Sequence, residues 1–189
     1  MIRRMLRLAL LPFALSLAAV SALAQDTAPD ATAAAAAATP SPVGSFKSWA
    51  SYTFEDNGRL MCYSQSAPNG TIGDAASRGQ AAVMVIQAPD AAAKDQVSIV
   101  LGFVPQSGKN VTLTIGAKAG KGKKFTLKKF AVGRAWSETG KQDKQIVTAM
   151  KRYNYLVVDA VSAKGEKVRD TYILSGFGKA YDAAVKACK

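Results

Sequence analysis

The 189-residue sequence contains no histidine, only two cysteines, and just 13 acidic side chains against 25 lysines and arginines. Without an imidazole, Ser-His-Asp and Cys-His relays and histidine-based metal cages are excluded. Two thiols with no CxxC spacing make neither a redox motif nor a metal site. The acids supply no substitute. Glu55 and Asp56 fall in a turn, while Asp90, Asp95, Asp143, Asp159, Asp170 and Asp182 are scattered, so no carboxylate dyad can be placed. Asp170 is expected to satisfy backbone donors at a turn or to pair with a lysine. The sequence therefore points to a protein that is not an enzyme and implies no cofactor or metal.

What is present is positive charge and apolar content. The formal net charge is +12 and 49% of residues are hydrophobic, which suits a folded domain with acidic partners better than a disordered basic tail. Arg3, Arg4 and Arg7 precede the apolar run LALLPFALSLAAV, and the small triplet Ala22-Leu23-Ala24 precedes Gln25. That order predicts a signal peptide over 1–24, cleaved after Ala24. The run is short for a bilayer span and contains Pro12, so no transmembrane span is expected after processing. The product is expected in the periplasm or secreted. Residues 25–44, QDTAPDATAAAAAATPSPVG, hold eight alanines and three prolines and no large apolar side chain but Val43, and read as a disordered tether. The remaining 45–189 is long enough for one domain with a continuous core. It carries 22 basic and 11 acidic side chains, so its charge is +11.

Runs rich in Val, Ile, Thr, Phe and Tyr recur along this domain: FKSWASYTF, RLMCYSQS, AAVMVIQA, QVSIVLGF, NVTLTIGA, KKFTLKKF, NYLVVDAVS and RDTYILSG. Asn57-Gly58 is a strong hairpin signal, and QSGK is a second turn. Val111, Leu113 and Ile115 alternate with Thr112 and Thr114 at the period of a half-buried strand. Two stretches follow the helical period instead. Ile146, Met150 and Tyr153 form one stripe; Phe177, Ala180, Tyr181, Ala184, Val185 and Cys188 form another. The expected fold is mainly β, an antiparallel β-sandwich or barrel-like sheet with two short helices, one of them C-terminal. Cys62 lies on a strand and Cys188 on the last helix, and in an oxidising export compartment this even pair is expected to form a disulfide.

One segment stands out as a possible site. KAGKGKKFTLKK places Lys118, Lys121, Lys123, Lys124, Lys128 and Lys129 within twelve residues. Gly116, Gly120 and Gly122 suggest a flexible hairpin tip, with Phe125 and Leu127 on the opposite face of the strand from the lysines. Arg134 and Trp136 follow. Two readings stand: an anion-binding patch, or lysines that keep an edge strand soluble. GKGKK lacks the GxxxxGK[ST] spacing of a phosphate loop. For an exported protein the anionic partners would be envelope or host-cell polymers and not nucleic acid.

The segments around the two cysteines resemble the invasion-associated locus B family of exported proteobacterial proteins. The resemblance runs through FKSWASYTF, MCYSQSAPN and VSIVLGFVPQSGKNVTLTIG to IVTAMKRY and closes on DTYILSGFGKA with the terminal cysteine. A further cysteine pair carried by better-known members is absent here. What the resemblance implies is an exported, non-enzymatic β domain, linked in some members to entry into host cells, with no catalytic residues to transfer. The alternative is a periplasmic structural or accessory protein whose basic surface serves solubility only.

Overall fold

The computed structural model describes residues 39–73, 78–88 and 94–189. The expected signal peptide and residues 25–38 of the expected tether lie outside them. Twelve strands and two helices follow in order among the described residues: β1 (Ser41–Phe46), β2 (Trp49–Asp56), β3 (Arg59–Ser66), β4 (Gly70–Ile72), β5 (Ala82–Gln87), β6 (Gln96–Val100), β7 (Val111–Lys118), β8 (Lys121–Leu127), β9 (Lys129–Ala131), β10 (Arg134–Trp136), α1 (Gly140–Arg152), β11 (Tyr155–Val161), β12 (Lys167–Ile173) and α2 (Phe177–Ala187). They make two antiparallel sheets, ordered β1-β2-β3-β5-β6-β10-β9 and β4-β12-β11-β7-β8. The packing is that of a sandwich and not of a closed barrel.

Three local features depart from the sequence reading. FKSWASYTF is not one strand: the chain reverses at Lys47-Ser48, with Lys47 at φ 58° and Phe46 paired to Trp49. No glycine, proline or asparagine marks that turn, which is why periodicity alone runs through it. The partner strand β1 consequently starts at Ser41, inside the segment assigned to the tether. KKFTLKKF also divides, at Lys128, where the chain leaves one sheet as β8 and enters the other as β9. By contrast, Asn57 and Gly58 both take positive φ (51° and 75°), the geometry of a two-residue type I′ hairpin turn, as their identities predict.

Alternation along the strands builds the core. Trp49 and Ser51, Cys62 and Ser64, Val83 and Val85, Val97 and Ile99 are buried on the inner face of the seven-stranded sheet. Val111, Leu113, Ile115, Leu156, Val158 and Tyr172 face them from the five-stranded sheet. The small side chains of Ser51, Ala180 and Ala184 let α2 lie close on the first sheet, where the Ser51 hydroxyl donates to the Ala180 carbonyl at 2.6 Å. Trp49 ties the layers together: its ring meets Phe177 edge-on at 4.8 Å, and its Nε1 donates to the Ile173 carbonyl at 2.9 Å. The expected bond between Cys62 and Cys188 is present, spanning 126 residues and stapling the end of α2 to β3. In the chain-entropy view a loop of that size contributes about 4 to 5 kcal/mol.

Asp170 does not sit at a turn and does not pair with a lysine. It lies inside β12, buried, where Arg78 donates two hydrogen bonds of 2.6 and 2.8 Å to its carboxylate and Thr71 a third at 2.7 Å. A buried carboxylate needs a fork of donors, which guanidinium provides and ammonium does not. Arg78 was invisible to the sequence argument because nothing local links it to β12.

Candidate functional site

The six lysines of the 118–129 segment are all exposed, but they do not form one patch. Lys118 and Lys121 stand opposite each other at the tip of the β7–β8 hairpin, next to a bulge between Ile115 and Lys118. Like charges placed across from one another repel. The glycines here serve close backbone approach and not flexibility. A Cβ on Gly116 would lie 1.8 Å from the Lys121 carbonyl oxygen, and one on Gly122 would lie 2.0 Å from that of Ile115. Beyond the bulge, Lys123 pairs with Ile115 and Lys124 with Thr114, so the two lysines leave opposite faces of β8. Lys123 therefore shares its face with Phe125, with Nζ 5.0 Å from the ring centroid, which corrects the expectation that Phe125 and Leu127 lie opposite the lysines. Lys128 pairs with Glu138 at 3.6 Å, both half-exposed, and Lys129 belongs to β9 in the other sheet, opposite Trp136.

The acids are mostly committed to structure. The Asp143 carboxylate, near the start of α1, accepts from the Val97 amide at 2.9 Å and from the Ser137 hydroxyl at 2.6 Å. Val97 lies just past the β10 pairing, which stops at Ser98, so the carboxylate replaces the missing strand. Burial pushes this carboxyl above its ordinary value, with the two hydrogen bonds pulling the other way. Asp95 accepts from the Tyr181 hydroxyl at 2.5 Å and from Gln87 at 2.8 Å. Burial and that bond push the Tyr181 phenol upward. Among the described residues no three or more Cys, Asp or Glu side chains are placed to hold a metal ion.

A second gathering of positive charge is not marked in the sequence. Lys47 in the β1–β2 turn, Lys151 and Arg152 at the end of α1, and Lys179 in the first turn of α2 all line one groove of about 600 Å³. Their positions span more than 130 residues of chain. Only the topology brings them together, because α1 ends where α2 begins.

A family model described as the invasion associated locus B (IalB) protein matches residues 51–185. The chain belongs to that family. Its strand order and disulfide are thus those of an IalB-family chain, and the family fits an exported protein. Among curated proteins and solved structures nothing matches it. Among the described residues of this IalB-family protein, no helix is long and apolar enough to cross a membrane.

Proposed function

We propose that the protein is exported through a cleaved leader over 1–24 and acts outside the cytoplasm without chemistry of its own, by holding anionic envelope or host-cell polymers. The observation that carries this reading is the β7–β8 hairpin. Lys118, Lys121, Lys123 and Lys124 are all exposed on or beside an edge strand. Cations that leave both faces of an edge suit a flexible polyanion, which can wrap the strand, better than a compact ligand. The domain's charge of +11 adds long-range attraction of the same sign. The lack of histidine and of any paired carboxylates supports a role without catalysis.

The edge position itself favours a second reading, that of an accessory protein whose lysines prevent strand-to-strand association. Retention on heparin and on immobilised lipopolysaccharide, followed against salt, separates the two. Changing Lys121, Lys123, Lys124 and Lys128 to Gln is expected to move elution to clearly lower salt. Unchanged, weak retention together with aggregation of the variant would support the accessory role instead.

A further inference from the structure

The groove between the β1–β2 turn and the two helix ends gathers four cations, against which the described residues set one paired carboxylate. Lys47, Lys151, Arg152 and Lys179 line it together with Ser45 and Ser175. Contacts hold three of the four cations. Lys47 Nζ donates to Ser175 Oγ at 2.9 Å, Lys151 Nζ lies 3.6 Å from the Tyr181 ring centroid, and the Arg152 guanidinium lies 5.6 Å from that of Tyr153. Of the four cations, only Lys151 has a carboxylate partner among the described residues, Asp182 at 3.4 Å.

Ordinary helix electrostatics account for two of these four cations and oppose a third. Lys151 and Arg152 complement the negative end of α1, as cations in a last turn normally do. Lys179 is on the wrong end of its helix. The first turn of α2 contains no acid, and Gly176 before it offers no side-chain cap. A lysine there, facing three more cations across a concave surface, raises the energy of the empty site. An anion seated among them relieves that repulsion.

We propose that this groove binds a dianionic phosphate group, with Lys47, Arg152 and Lys179 as its charged donors and the serine hydroxyls as neutral ones. Convergent cations with hydroxyl donors match the several oxygens of a phosphate monoester better than a single carboxylate. The site is separate from the β7–β8 hairpin and does not depend on polyanion binding there.

Thermal unfolding of the exported chain tests it. At constant ionic strength, replacing chloride by inorganic phosphate at 10 mM is expected to raise the unfolding temperature by roughly 3 °C or more. Lys179→Glu should abolish that shift while raising stability in phosphate-free buffer, because it exchanges a cation for an anion at a helix N-terminus. Arg152→Gln, which leaves α2 untouched, should reduce the shift, whereas Lys121→Gln with Lys124→Gln should keep it. A shift of equal size in wild type, Lys179→Glu and Arg152→Gln, or none beyond chloride, overturns the site. Co-sedimentation with phosphatidylcholine vesicles containing phosphatidic acid identifies the source. Sedimentation that Lys179→Glu removes assigns the phosphate to a lipid headgroup, and a thermal shift without sedimentation assigns it to a soluble phosphate.

Discussion

The β7–β8 hairpin and the groove at the helix ends are both basic, yet they are built in opposite ways. The hairpin concentrates its lysines in sequence and disperses them in space: two repel across the tip, two leave opposite faces, one pairs with Glu138 and one joins the other sheet. The groove takes its cations from three distant segments and turns them to one concavity. Period-2 alternation makes the first result unavoidable, because consecutive lysines on a strand point apart. A loop and two helix ends face no such constraint. Charge density along a chain is therefore a guide to long-range attraction, and convergence is a matter of topology.

The largest expected effect follows from how each region is anchored. The groove depends on α2, whose end is fixed by the Cys62–Cys188 bond, while the hairpin hangs from β11 through β7 in the other sheet. Replacing both cysteines by serine should cost about 4 to 5 kcal/mol in urea unfolding. Under mild conditions the same variant should lose the phosphate-induced thermal shift before it loses retention on heparin. If both responses fade together, the two regions are not independently supported and the contrast between them fails.

Gly176 gives a narrower test. It takes φ 99°, and a Cβ there would lie 2.0 Å from the Phe46 carbonyl oxygen, so any side chain pushes the β1–β2 turn away from α2. Gly176→Ala is expected to destabilise by roughly 1–3 kcal/mol from backbone strain. Displacing the turn carries Lys47 out of the groove, so the phosphate response should weaken more than stability alone explains. Heparin retention at low salt should not move. A still smaller change, Lys123→Gln, removes the cation over the Phe125 ring and should cost about 0.5–1 kcal/mol with no change in the phosphate response.

How much of this was legible in the sequence depends on whether the signal is local. Period-2 runs located β3, β5, β6, β7, β11 and β12, and the 3.6-residue stripes located both helices, because each pattern lies within one element. The disulfide was legible because only one pairing of two cysteines exists. β4 and β10, three residues each, are too short to show a period. The breaks at Lys47-Ser48 and Lys128 were hidden because lysine and serine fit strand and turn alike. Arg78 beside Asp170, and the four cations of the groove, are tertiary facts: each partner is ordinary in its own segment, and no spacing rule joins Arg78 to a residue 92 positions away or Lys47 to the two helix ends.

The smallest effect concerns α1, which joins the two regions. One end carries Lys151 and Arg152 into the groove; at the other, Gln142 Nε2 donates to the Thr126 carbonyl of β8 at 3.0 Å and the Asp143 carboxylate is buried. Burial dominates there and holds the carboxyl above its ordinary 3.8, with Asp95 adding to the rise and the Ser137 and Val97 hydrogen bonds and Lys129 opposing it. The folded protein thus takes up a proton at this site more readily than the unfolded chain. By linkage, the contribution of Asp143 to stability grows as pH falls through its raised value toward 3.8 and is lost as pH rises. Asp143→Asn removes that titration while keeping an acceptor for the Val97 amide. Urea midpoints of wild type and variant across pH 7 to about pH 4 isolate the effect from the other carboxylates. The difference between them should move in favour of the wild type as the solution is acidified. A difference that stays flat, or moves toward the variant, would mean that the hydrogen bonds from Ser137 and Val97 outweigh burial and that α1 is anchored by a stabilised carboxylate and not a strained one.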